Sequence, residues 1–123
     1  MMQGVVNSRR EAIVRLTVRG PSGVTSEVDA IIDTGFTASL TLPATTITTL
    51  GLERQLGGGA LLADGSFRQF DVCTAEVNWG GAWRSVLVSA VGNESLIGMR
   101  LLAGHRLGIE VVPGGSVEIH RLL

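Results

Sequence analysis

The residues of this chain that could do chemistry gather at one point. Asp33, Thr34 and Gly35 come directly after the apolar run Ala30, Ile31 and Ile32. A strand that ends in a carboxylate and turns at once on Thr-Gly can hold that carboxylate still. Gly35 has no side chain, so backbone N–H groups can approach the carboxylate closely. The Thr34 hydroxyl both donates and accepts, and can lock the loop. With the strand through Ile31 and Ile32 read as buried on both faces, Asp33 emerges at a rigid position, near the core and partly desolvated. That is a setting for acid–base work. The same tripeptide also makes an ordinary Asp-containing turn, because Asp and Gly are turn residues in any case. A second apolar-apolar-Gly element, Leu96-Ile97-Gly98, stands about sixty residues further on.

Other reactive side chains are sparse. Cys73 is the single cysteine. It cannot form an internal disulfide, which suits a reducing compartment and leads to a cytoplasmic expectation. The segment around it, "FDVCTAEV", reads as a strand interior and not as the electropositive turn a thiolate nucleophile needs. His105 and His120 are too few for a metal site, so no metal and no cofactor are expected. Gly57-Gly58-Gly59 is not followed by the Lys-Ser/Thr of a phosphate loop, and reads as a flexible connection. No Gly-x-Ser-x-Gly is present. Asn93-Glu94-Ser95 has the form of a glycosylation sequon, read as an accident because no signal peptide is evident.

Composition bounds the classes. The chain has 123 residues, read as one domain over 1–123 with one core. Hydrophobic residues make up 45%, which argues against a disordered tail. The net charge is −1 and every basic residue except the two histidines is an arginine, with no basic run. Neither nucleic-acid binding nor a polybasic membrane contact is expected. No apolar run reaches the roughly 18 residues a membrane helix needs.

The elements that must position Asp33 follow from period-2 alternation. Ala12, Val14, Leu16 and Val18 alternate with Arg15, Thr17 and Arg19, the pattern of a half-buried strand. After the turn at 20–23, a second strand runs from Val24 toward Ile32, with Val24, Val28, Ala30 and Ile32 assigned to one face. "LTLP" follows the acidic turn, and "PATTITTLG" reads as a short helix between Pro43 and Gly51. Two strands flank Ala63-Asp64-Gly65-Ser66, a strong hairpin signal. "NWGGAW" reverses the chain, with Trp79 and Trp83 read as packing on the barrel or capping the hairpin. "RSVLVSAV" reads as a buried strand, Met99 to Leu102 as a short helix stopped by Gly104, and "LGIEVV-PGG-SVEIHRL" as a closing hairpin. The fold class is therefore all-β, a small closed barrel or sandwich with one or two short helices.

"AIIDTG", followed by "LIG" and a short helix, resembles the single-lobe aspartic proteases of retroviral type and their bacterial relatives, over about Val24 to Leu107. The resemblance implies the acid-protease β-barrel lobe, with Asp33 catalytic and Thr34 and Gly35 supporting its loop. It implies that Leu96, Ile97 and Gly98 thread beside that loop, and that the hairpin around Asp64 and Gly65 is a flap over substrate. It also implies that Thr34 hydrogen-bonds to the same loop of a second copy. Phe36, Leu61, Phe67 and Ile97 are candidate walls of the substrate pockets. The sequence departs from the retroviral pattern at Phe36, where those enzymes carry Ala or Ser, and at Met99, where they carry an arginine paired with an acid; here Arg100 comes one residue later.

Acid proteolysis with a water nucleophile needs two carboxylates facing each other, and this chain has one Asp-Thr-Gly. Two chains must then meet on a two-fold axis, or the monomer is inactive. The expected partners are a polypeptide substrate and a second copy of the chain. The alternative is a barrel of the same fold used for dimerisation or peptide binding, with little or no turnover.

Overall fold

In the computed structural model, which describes residues 1–61 and 63–123, strands dominate and two helical segments are short. In chain order the elements are β1 (Met2–Val6), β2 (Ala12–Arg19), β3 (Thr25–Ile32), β4 (Leu40–Thr41), α1 (Ala44–Thr49), β5 (Gln55–Leu61), β6 (Phe67–Trp79), β7 (Ala82–Ala90), β8 (Leu96–Ile97), α2 (Met99–Leu102), β9 (His105–Ile109) and β10 (Ser116–Arg121). Strands β2, β3, β8, β4, β7 and β6 pair in that order, and β6 pairs back onto β2 at Val18–Val77. The sheet is thus a closed six-stranded barrel. Closure leaves β5 and β9, outside the six, as the outer strands of the sheet. Strand β2 carries two neighbours on one edge, β1 at its start and β6 at its end. β10 and β9 continue outward from β1, and β5 lies outside β6.

Alternation builds the core. Along β2, Ala12, Val14, Leu16 and Val18 are buried while the residues between them are half-buried or exposed. Val28 and Ala30 of β3, and Cys73, Ala75 and Val77 of β6, repeat the pattern at the same spacing of two. Leu101 and Leu102 of α2 and Ile47 of α1 plug into the same apolar cluster. Gly51 ends α1 with φ +66°, and Gly104 follows α2 with φ +82°, both left-handed values that glycine adopts without steric penalty.

Four readings of the strands need correction. Val24 precedes β3 and is exposed, because the chain is still turning there. Ile31 and Ile32 are half-buried, not enclosed on both faces: they lie at the barrel mouth, where their neighbour β8 is only two residues long. Strand β7 buries Val86 and Val88 but leaves Leu87 52% exposed, so it too is one-sided. Gly57 to Gly59 are not a loose connection but lie inside β5. A β-carbon on Gly58 would stand 2.0 Å from the Phe70 ring, and one on Gly59 2.2 Å from the Phe67 ring. The two aromatic side chains cover the glycines across the hairpin, and the pairing slips by one residue between Leu56 and Gly58.

Candidate functional site

Asp33 leaves the end of β3 into a loop, 33–39, that returns as β4. Strand β8 runs between the two ends of that loop. Ile97 is in register with Ile32 on one side, parallel, and with Leu40 on the other, antiparallel. The loop is therefore suspended from a single short segment. Asp33 N–H donates to the Ile97 carbonyl at 2.9 Å, and Gly98 N–H donates to the Ser39 carbonyl at 2.9 Å. The first amides of α2 continue the series: Met99 N–H donates to the Phe36 carbonyl at 2.8 Å and Arg100 N–H to the Ala38 carbonyl at 3.2 Å. Backbone groups that a helix start leaves without internal partners here tie down the loop.

Gly98 makes this approach feasible. A β-carbon there would lie 2.1 Å from the Ala38 carbonyl oxygen and 2.5 Å from the Phe36 ring. Within the loop, the Gly35 amide donates to Asp33 Oδ1 at 3.0 Å and the Phe36 amide to the Asp33 carbonyl at 3.1 Å. Asp33 is half-buried, and Thr34 and Gly35 are exposed. Thr41, buried just after the loop, receives the Leu96 N–H at 2.9 Å and donates its hydroxyl to the Glu94 carbonyl at 2.8 Å. One side chain thereby fixes the segment that leads into β8.

Asp33 opens onto a cleft of about 790 Å³. It is lined by the loop residues Gly35 to Ala38 beside Asp33, by Gly59 and Phe70 of the β5–β6 hairpin, and by Thr41, Ser89, the segment from Val91 to Glu94, and Leu96. Phe36, Phe70, Val91 and Leu96 supply apolar surface, as small-molecule and peptide sites commonly require. Among the described residues that line it, Asp33 and Glu94 are the ionisable ones, and both are acidic.

The expected site residues divide accordingly. Asp33, Gly35, Phe36 and Leu96 meet at the cleft. Ile97 and Gly98 are buried beneath the loop and support it; Ile97 does not reach the cleft wall. Thr34 is exposed beside the cleft. Leu61 and Phe67 stand outside it, 75% and 64% exposed; along β6 the alternation turns Phe70, and not Phe67, toward the cleft. Asp64 and Gly65 lie at the end of the β5–β6 hairpin, away from the cleft wall, with Gly65 at φ +86°. Ser66 donates its N–H (2.9 Å) and its hydroxyl (2.6 Å) to Asp64 Oδ1, and these bonds hold the Asp64 carboxyl below the usual carboxylate range. Leu62, in the same connection, lies outside the described residues.

Phe70, Thr41 and Glu94 were missed as site residues. Phe70 was legible in part: it stands across the hairpin from Gly58, and a glycine in a strand often marks a ring from the neighbouring strand. Thr41 and Glu94 carried no signal, since their importance comes from the threading of β8.

Elsewhere, Trp79 is buried and its Nε1–H donates to His105 Nε2 at 3.3 Å, which joins the end of β6 to β9. Trp83 lies under the Arg19 guanidinium, 3.9 Å from its ring centre. Asp29 pairs with Arg15 at 3.0 Å on the surface, and Asp71, half-buried, lies 3.7 Å from Arg54. Burial in the β6 interior pushes the Cys73 thiol up from its ordinary value. Among the described residues no helix is long and apolar enough to cross a membrane.

No protein-family model and no curated protein matches the sequence. Solved structures do match. A retropepsin-like aspartic protease from Rickettsia conorii superposes with a TM-score of 0.64 at 16% identity, over 99% of this chain and 91% of that one. EIAV protease, in complex with the inhibitor HBY-793, superposes with a TM-score of 0.58 at 15% identity, over 78% of this chain and 88% of that one. The chain has the retropepsin-like fold.

Proposed function

We propose that the protein is an aspartic endopeptidase that works as a homodimer, each subunit contributing one Asp33. The observation that carries this reading is the suspension of the Asp33 loop from β8 and α2 along a cleft, with the carboxylate half-buried and its Oδ1 held by the Gly35 amide. The acid-protease fold of the structural neighbours supports it.

In the dimer, the two Asp33 carboxyls face each other across the two-fold axis. Like charges about 3 Å apart cannot both ionise, so the pair shares one proton. The ionised member takes a proton from water, and the protonated member hydrogen-bonds the scissile carbonyl. Water adds to the carbonyl carbon, and collapse of the tetrahedral adduct with proton transfer to nitrogen releases the amine.

Thr34, exposed beside Asp33, is assigned the contact to the partner's loop. The β5–β6 hairpin serves as the flap, with Asp64 and Gly65 at its end. The substrate is a polypeptide lying extended across the cleft, with its backbone pairing to the hairpin. Phe36, Phe70 and Leu96 line its apolar pockets. The cytoplasm is the proposed compartment, since Cys73 is the single cysteine and is buried. No role with nucleic acid or membrane is proposed.

Asp33→Asn tests the reading. It should abolish cleavage of a peptide library while leaving the fold and the dimer unchanged. Cleavage by Asp33→Asn at the wild-type rate would overturn it. The second reading, a peptide-binding or dimerisation module, draws on Arg100, which is exposed and has no ion pair among the described residues, so the brace of the retroviral enzymes is missing or replaced. Peptide binding without turnover in the wild type would select it.

A further inference from the structure

The cleft is apolar on most of its wall, yet the ionisable residues that line it, Asp33 and Glu94, are both acidic. Glu94 is exposed and takes part in no ion pair among the described residues. It lines both the cleft and a second hollow that Arg9 also lines. Arg9 pairs with Glu11, at 3.4 Å, and not with Glu94. The backbone that carries Glu94 is fixed. Its carbonyl accepts from the buried Thr41 hydroxyl at 2.8 Å, and the next carbonyl, of Ser95, accepts from Ile31 N–H at 2.8 Å. A carboxylate on a fixed segment of an apolar cleft, unpaired among the described residues, favours a cationic group that also carries an aliphatic stem. Arginine and lysine side chains have that chemistry.

We propose that Glu94 selects basic side chains, arginine above all, in the polypeptide occupying the cleft. Arginine can pair with a carboxylate through two parallel hydrogen bonds, which lysine cannot. The inference rests on the reading of the cleft as a peptide site. If two subunits share that site, symmetry supplies a Glu94 on each side of the Asp33 pair. The selection then acts on both sides of the scissile bond, at equivalent distances from it.

The experiment uses fluorescently labelled peptides that differ at the residues flanking a fixed apolar centre: Arg, Lys, norleucine or Glu. Binding is measured by anisotropy on Asp33→Asn protein, with and without Glu94→Gln or Glu94→Lys. Cleavage is measured separately on proteins with Asp33 intact. Arg peptides should bind the Glu94 protein about three- to five-fold tighter than norleucine peptides for each flanking position. The preference should shrink with added salt. Glu94→Gln should remove it, and Glu94→Lys should turn it toward Glu peptides. Equal binding of Arg and norleucine peptides, or an Arg preference that survives Glu94→Lys, overturns the proposal. Failure of the endopeptidase reading looks different: no peptide is cut by wild type, while the binding comparison still decides for or against Glu94.

Discussion

Replacing Gly98 by alanine tests whether the Asp33 loop is held by its contact with β8. Gly98 has φ −101° and ψ 176°, an extended conformation open to any residue, so the glycine is needed for space and not for backbone freedom. A methyl group there meets the Ala38 carbonyl oxygen at 2.1 Å, the Phe36 ring at 2.5 Å and the Phe36 carbonyl oxygen at 2.8 Å. Two of these three obstacles are backbone and cannot swing aside. The loop and β8 must part by roughly 1 Å to restore ordinary contact. That movement stretches the hydrogen bonds from Gly98, Met99 and Arg100 to the loop carbonyls, now 2.9, 2.8 and 3.2 Å. At about 1 kcal/mol net for each, the loss is about 3 kcal/mol. A catalytic group misplaced by about 1 Å loses on the order of 100-fold in rate. Urea unfolding and kcat/KM on a peptide substrate measure the two effects, at a temperature where the variant remains folded. Gly108→Ala is the control: among the described residues nothing lies within 4 Å of its β-carbon, and the change should stay within about 0.5 kcal/mol. A Gly98→Ala protein as stable as the control, and as active as wild type, would refute the suspension of the loop.

Two further outcomes follow from the same geometry. Thr41→Val keeps the side-chain shape but removes the hydroxyl that joins the Glu94 carbonyl to the Leu96 amide; denaturant unfolding should show a loss of about 2 kcal/mol. Cys73 has its thiol pushed up by burial, so the folded state retains a proton that the unfolded chain releases. Its contribution is fully present below the ordinary thiol value of 9.0 and is lost as pH rises from there through the folded value. Unfolding midpoints taken from pH 7 to 11 should fall more steeply for wild type than for Cys73→Ala.

What the sequence revealed and what it hid have separate physical causes. The strands and turns were legible because each is a local pattern: alternation in β2, Asp-Gly in the β5–β6 hairpin, glycines after both helices. Asp33 stood out because an apolar strand ran straight into it. What local pattern cannot carry is depth and partnership. Ile31 and Ile32 look fully enclosed by composition, yet they lie at the barrel mouth, where only two residues of β8 cover the strand edge. The β1 sequence, MQGVV, shows little hydropathic alternation although its burial alternates; its place is fixed by pairing with β10 and β2. The Gly-Gly-Gly run looked loose because its cover, Phe67 and Phe70, comes from the other strand of the hairpin. The same strand decides which ring meets the cleft: Phe67 and Phe70 differ by three positions and so point to opposite faces. Composition alone would rank them equally. Glu94 acquires meaning only when Thr41, over fifty residues earlier, is seen to hold its carbonyl.

The requirement that two Asp33 residues act together is tested most directly by mixing subunits. Wild type is equilibrated with Asp33→Asn protein at equal concentration, and peptide cleavage is followed per wild-type chain. A shared site predicts that activity per wild-type chain falls to about half, because random pairing leaves half of those chains with an inactive partner. Further Asp33→Asn protein should lower it toward zero. Activity per wild-type chain that stays constant at every ratio, with subunit exchange verified, would contradict the account.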